Sequence, residues 1–210
     1  MGRASASTDP SRAAVESAGT EGRRSTDAAV WWCSVTRPRV LVADPPWKFG
    51  DRLPGPGRGA VKHYPCMPVA EICTFPIPTM ATDSYLFLWR VAAMPWEALA
   101  VCKAWGFTPK AEIVWRKMTN DVSRIRIGMG RTVRNAHETC IVATRGKPQP
   151  ISHSVPSVFD APRAAHSAKP DQFYELVERL AQGPYVELFA RRVRDGWTCL
   201  GNEVDPCPES

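Results

Sequence analysis

The sequence of 210 residues contains no run of about 18 apolar residues, so nothing in it reads as a membrane-spanning helix. It has no CxxC pair, and its seven cysteines are an odd number. A disulfide framework is therefore not expected, and the cysteines read as reduced thiols of a cytoplasmic protein. Histidines are few. His63 with Cys66, and His137 with Cys140, have HxxC spacing, but neither pair has the second CxxC or HxxxH partner that a zinc site uses, so no metal is expected. Met1 to Thr20 is rich in Ala, Ser and Arg without the apolar stretch of a secretory signal, and Asp9, Glu16 and Glu21 set it apart from a transit peptide. There are no internal repeats, and no zinc finger or separate target-recognition domain is expected.

What is present is ordinary for a globular chain: 44% hydrophobic and 23% charged residues. Residues 1–37 have no usable period and nearly balanced charge, and read as a disordered tail. The domain is expected at 38–204, with residues 205–210 as a short C-terminal tail. Within it, Arg39–Ala43 reads as a buried strand opening into a Gly- and Pro-rich loop at 48–66. Further strands are expected at Ser84–Trp89, Glu112–Trp115, Glu138–Thr144, Tyr185–Ala190 and Trp197–Leu200. Helices are expected at Val69–Cys73, at Pro95–Trp105 with a stop at Gly106, and at Asp171–Gln182, where Phe173, Leu176, Val177 and Leu180 share a face. Residues 116–136 read as a long loop and 146–165 as irregular. Alternating strands and helices predict an α/β fold with a mostly parallel sheet flanked by helices. Such sheets bind ligands beyond the strand C-termini, where Asp44 and Arg191 fall.

The segment after the first strand, Asp44-Pro-Pro-Trp47, has an unusual chemical balance. Each proline fixes φ and lacks an N–H, and each extends the residue before it. The result is a stiff stretch that offers carbonyls and one carboxylate but few donors. It suits a ligand that is itself a donor, such as an exocyclic amine, with Trp47 as a flat face on which a base stacks. The lone pair of an aromatic amine is delocalised into its ring. Acceptors on its N–H groups, from the Asp44 carboxylate and the Pro45 carbonyl, would free that lone pair and stabilise the charge that develops on attack. The plainer reading, a rigid turn in a chain with 20 prolines, stays open on the tetrapeptide alone.

Charge is unevenly spread. The net charge is +6, and the stretch from Pro109 to Lys147 alone carries an excess of six positive residues. Arg124, Arg126, Arg131 and Arg134, with His63 in the earlier loop, are the candidate contacts to a nucleic-acid backbone. A solvated charged loop is the alternative.

Several stretches in order resemble the MT-A70 family of N6-adenine methyltransferases. They are Val42-Ala-Asp-Pro-Pro-Trp47, His63-Tyr-Pro65, Leu86-Phe-Leu-Trp89, Ala104-Trp-Gly-Phe107, Val114-Trp-Arg-Lys117 and Arg134-Asn-Ala-His-Glu138. The run continues through Arg145-Gly-Lys147, His166-Ser-Ala-Lys-Pro-Asp171, Glu187-Leu-Phe-Ala-Arg191, Gly196-Trp197 and Gly201-Asn-Glu203. The resemblance implies a Rossmann-like class I methyltransferase fold using S-adenosyl-L-methionine (AdoMet). It implies Asp44, Pro45, Pro46 and Trp47 as the catalytic pocket and Lys169, Arg191, Asn202 and Glu203 as cofactor contacts. Lys169 is expected near either the AdoMet carboxylate or the target base. Nucleic acid is the expected partner, DNA ahead of RNA, for a monomer or homodimer. An RNA N6-adenosine methyltransferase, or an inactive nucleic-acid-binding subunit of a methyltransferase complex, are the alternatives. Thr26 to Arg37 shows no counterpart of the family's polar contact to the cofactor adenine. An amide methyltransferase with an NPPY motif is disfavoured by Asp44 and Trp47.

Overall fold

A computed structural model describes residues 37–48, 66–130, 132–163, 168–201 and 204. Strand β1 (Val40–Ala43) is apolar at every position and buried at every position. A strand covered on both faces belongs in the middle of a sheet. β1 accordingly lies between β2 (Ser84–Arg90) and β6 (Tyr185–Leu188), parallel to both. β3 (Thr108–Met118), β4 (His137–Arg145), β5 (Val158–Pro162) and β7 (Trp197–Leu200) complete a seven-stranded sheet of order β5-β3-β4-β2-β1-β6-β7. Four pairings are parallel, while β4 runs antiparallel to both β2 and β3. This is a mostly parallel, helix-flanked sheet of the Rossmann-like kind.

Alternation along β1 divides the core in two. Leu41 and Ala43 pack with Ile72 of α1 (Val69–Thr74) and with Ala98 and Val101 of α2 (Pro95–Ala104). Val40 and Val42 belong to the opposite cluster, with Phe87 and with Phe173 and Val177 of α3 (Asp171–Leu180). The ends of α2 follow from its sequence. Pro95 opens it, where a missing N–H costs nothing. Gly106, at φ +78°, closes it in a Schellman turn: Gly106 N–H donates to Lys103 O (3.0 Å) and Phe107 N–H to Cys102 O (2.8 Å).

Three expectations need correction. The stretch at 146–165 is not wholly irregular, because β5 lies in it. It pairs with β3 at the sheet edge, where proline is tolerated, and is tied by the Trp115 indole N–H donating to Ala161 O at 2.9 Å. The long loop at 116–136 is partly ordered by backbone pairing. β3 runs on to Met118, and the chain then turns back with Thr119 N–H on Arg124 O (2.9 Å) and Arg126 N–H on Lys117 O (2.7 Å). β6 ends at Leu188 rather than Ala190, because Phe189 takes φ +61° and leaves the extended conformation.

Phe173 ties α3 to the sheet. Its ring is fully buried, 4.7 Å from Trp89 and 6.2 Å from Phe87 between centroids. Phe173→Ala should destabilise the fold by about 3–5 kcal/mol in urea denaturation, since it combines lost transfer energy with a cavity. A loss below about 1 kcal/mol would show that this cluster does not hold α3 in place.

Candidate active site

The sheet brings several strand ends to one edge. Ala43 is in register with Leu88 of β2 and Leu188 of β6, and Trp89 with Cys140 of the antiparallel β4. Asp44 leaves β1 at this edge. The chain continues to β2 on one side of β1, while β6 returns on the other, so the gap between β1 and β6 is the topological switch point where α/β sheets bind ligands.

The Asp44-Pro-Pro-Trp47 turn is pinned from both ends. The Pro45 carbonyl accepts the Trp47 N–H (2.8 Å), and the Pro46 carbonyl accepts the Met67 N–H (2.7 Å). Lys48 N–H donates in turn to Met67 O at 3.1 Å. The Trp47 side chain is only 4% exposed and its indole N–H donates to Trp89 O at 3.0 Å. This corrects the expectation of an open stacking face. An indole whose N–H finds a buried carbonyl gains more from the core than from solvent, so Trp47 anchors the turn instead. The Pro45 carbonyl keeps one lone pair beyond its bond to Trp47.

Asp44 is held by a residue 125 positions away in the chain. Lys169 Nζ lies 2.5 Å from Asp44 Oδ2 and 3.2 Å from Glu138 Oε2, with the Trp89 ring centroid 4.9 Å away. Lys117 Nζ reaches the other oxygen of Glu138 at 2.7 Å. The four groups form an alternating row: Asp44, Lys169, Glu138, Lys117. Burial alone would lower the Lys169 ammonium, but Asp44 and Glu138 outweigh it and raise Lys169 above its ordinary value. Burial would likewise raise Glu138, yet the charges of Lys169 and Lys117 and their hydrogen bonds bring its carboxyl down to about 2. Lys169 thus sits directly against Asp44, its charge already matched by two carboxylates. Removing Asp44 outright would leave a buried ammonium half-paired, a kind of change that typically costs about 3–5 kcal/mol. Asp44 is thus less separable from the fold than its strand-end position suggests.

Beside this row lies a small cleft whose lining includes Asp44, Lys169, Tyr174, Glu187, Phe189 and the arginines that follow it, Arg191 and Arg192. Glu187 sits inside β6, only 5% exposed, and its Oε1 accepts the Tyr174 hydroxyl at 2.8 Å. Burial pushes its carboxyl up; against the opposing Tyr174 bond and with help from the Asp44 charge, it reaches about 7. Phe189 borders the cleft with a left-handed backbone at φ +61°, an uncommon and strained state for a bulky residue. Arg192 and Arg194 both pair with Asp171 in the first turn of α3, and the Arg194 guanidinium lies 3.9 Å from the Tyr174 ring centroid. A Cβ on Gly201 would strike the Ala190 carbonyl, so the chain after β7 packs directly against the segment carrying Arg191.

A profile of the MT-A70 family matches residues 38–203. The chain belongs to the MT-A70 family. The human N(6)-adenosine-methyltransferase catalytic subunit METTL3 is 35% identical over 174 residues, 79% of this chain and 28% of that protein. The zebrafish METTL3 subunit is 35% identical over 176 residues, with the same coverage of both chains. The human N(6)-adenine-specific methyltransferase METTL4 is 27% identical over 192 residues, 79% of this chain and 37% of that protein. The chain thus spans less than a third of the METTL3 proteins it matches.

Of the candidate residues of this MT-A70 chain, Asp44, Pro45, Lys169 and Arg191 come together at one edge. His63, Arg131, Asn202 and Glu203 lie outside the described residues. Arg124, Arg126 and Arg134 are exposed on the connection between β3 and β4. That connection leaves beyond Lys117 and returns just before Glu138, both members of the charged row, so it springs from the border of the site. The motif reading did not single out Lys117, Glu138, Tyr174 or Glu187. The signal for Glu187 was a lone acid inside the apolar run Tyr185–Leu188.

The low Glu138 value fixes a sign for acid stability. A carboxyl with an unfolded value near 4.5 and a folded value of about 2 adds stability that is present above pH about 4.5 and lost as pH falls through about 2. Glu138→Gln should therefore flatten the acid limb of a stability-against-pH curve measured by urea denaturation. An acid limb as steep as that of wild type would contradict the two ion pairs.

Proposed function

We propose that this MT-A70 chain transfers a methyl group from AdoMet to the N6 amine of adenine in nucleic acid, with adenosine in RNA as the favoured substrate. The observation that carries this reading is the Asp44 carboxylate, clamped through Oδ2 by buried Lys169 at the switch-point edge, beside a cleft of mixed charge. Among the described residues no hydrogen bond reaches Asp44 Oδ1, which leaves it as an acceptor for an N–H of the target amine. The remaining lone pair of the Pro45 carbonyl is the second acceptor. Together they draw the amine toward a tetrahedral shape and stabilise the positive charge that develops on its nitrogen. Lys169 fixes the direction of the Asp44 carboxylate and needs no change of protonation. The proton lost from N6 after transfer passes to Asp44 or to solvent.

The donor set fits AdoMet. The cofactor carries a sulfonium and an ammonium together with a carboxylate. The cleft offers Asp44 as an anionic group, Glu187 as a buried acid, Arg191 and Arg192 as cationic groups, and Phe189 as an apolar wall. AdoMet supplies an electrophilic methyl group on sulfur; the chain binds, orients and excludes water.

The substrate preference departs from the expectation of DNA first. METTL3 is named for N6-adenosine, a ribonucleoside, in human and zebrafish alike, while METTL4 is named for adenine without a sugar. These relatives support RNA over DNA. The alternative of an inactive subunit is disfavoured, because human METTL3 is named as a catalytic subunit and the paired Asp44 and Lys169 favour catalysis. Arg124 and Arg126 alternate with Ile125 and Ile127 on an exposed strip, a placement suited to phosphate contacts at the border of the site.

The test is transfer from labelled AdoMet to RNA, single-stranded DNA and duplex DNA in parallel, followed by nucleoside analysis. N6-methyladenosine from RNA is the expected main product. Asp44→Asn, which keeps the shape around Lys169, should lower the rate about a hundred- to a thousandfold, the effect of losing one preorganised transition-state partner. A variant retaining more than about a tenth of the activity would remove Asp44 from the chemistry, and faster labelling of DNA would reverse the substrate preference.

A further inference from the structure

We propose that binding of the cationic cofactor draws a proton off Glu187, making this buried acid of the cleft a proton-linked cofactor contact. The proposal rests on the AdoMet reading above and concerns how that cleft is poised before the ligand arrives.

The acids around the cleft differ in one respect. Asp44 is paired with Lys169, Glu138 with Lys117 and Lys169, and Asp171 with Arg192 and Arg194. Glu187 lines the same cleft but, among the described residues, makes no ion pair; its hydrogen-bond partner is the uncharged Tyr174 hydroxyl at 2.8 Å. A carboxylate this buried without a cation is costly to ionise.

The groups facing it come from every neighbouring element. Tyr174 approaches from α3, Asp44 from the end of β1, Lys169 from the segment before α3 and Arg194 from the connection between β6 and β7, where Arg191 and Arg192 also line the cleft. Cys199 of β7 lies opposite Glu187 in register. Burial dominates and raises Glu187; the Tyr174 bond lowers it, the Asp44 charge raises it, and Arg194 and Lys169 lower it, leaving about 7. Tyr174 does not compete for the proton. Burial and the nearby Glu187 push its phenol far up, so it remains a donor. Burial also raises the Cys199 thiol. Lys169 is already matched by two carboxylates, so Glu187 is the acid in the cleft that a positive ligand can still charge.

A cationic ligand supplies the missing partner and stabilises the ionised form, so Glu187 gives its proton to the buffer as the ligand binds. Near a value of 7, about a tenth of Glu187 is ionised at pH 6 and about nine-tenths at pH 8. If the bound state needs the carboxylate, apparent AdoMet affinity rises about tenfold across that range.

Titration calorimetry of AdoMet into the full chain at pH 6.5, in buffers of differing ionisation enthalpy, reads the proton directly. Wild type should release more than about half a proton per AdoMet beyond the value for Glu187→Gln, since the ligand's own amine contributes equally to both. Glu187→Gln keeps an acceptor for Tyr174 and should lose the tenfold pH dependence. A carbon-detected NMR titration of the Glu187 carboxyl in wild type needs no variant. Its midpoint near 7 should fall by at least about one pH unit when AdoMet saturates the protein. Equal proton exchange in both proteins, or a midpoint unmoved by AdoMet, overturns the proposal while leaving AdoMet binding intact. Absence of AdoMet binding at every pH overturns the cofactor reading and this proposal with it.

Discussion

The ammonium of Lys169, on a residue only 8% exposed, stays charged because two carboxylates from distant parts of the chain meet it. Asp44 comes from the end of β1 and Glu138 from the start of β4, with Lys117 of β3 behind Glu138. An unpaired buried charge would cost several kcal/mol, so the three strands and the segment before α3 must hold their relative positions. The pinned Pro-Pro turn and the buried Trp47 serve the same end from the other side. They stop Asp44 from turning away from Lys169.

From that constraint the rest of the site follows. A clamped carboxylate keeps one oxygen on Lys169 and directs the other outward, without reorganising as charge develops on a bound amine. The cleft between β1 and β6 then places a second acid, Glu187, and the arginines after β6 at the same edge. The strained Phe189 turns the chain abruptly out of β6 and brings Arg191 to the cleft. The structural charge pairing and the proposed binding chemistry thus meet in one region, at Asp44.

The features visible in the sequence were those set by local rules. β1 stood out because it is apolar at every position, and α3 because its apolar residues share a face. The end of α2 was signalled by Gly106, which the Schellman turn requires. Strand polarity carries no such signal, so the antiparallel course of β4 was not visible. β5 was hidden because prolines mask an edge strand. Trp47 was misplaced because a tetrapeptide does not say whether its indole faces solvent or core. Asp44 was singled out by the chemistry of its tetrapeptide and Lys169 by the family resemblance, yet their direct contact was not visible, since pairing across 125 residues is a property of the sheet order. Glu138 and Glu187 were present in the matched stretches, but their roles depend on which cations reach them, and that is decided only in three dimensions.

The contact between Asp44 and Lys169 makes the two residues one unit. A double-mutant cycle with Asp44→Asn and Lys169→Met, read as single-turnover methyl transfer to adenosine in RNA, tests it most directly. Strong overlap is expected, with the double variant little slower than the worse single variant. Additive losses in the double variant would show that the two residues act independently, and that the Asp44–Lys169 pair is not a functional unit.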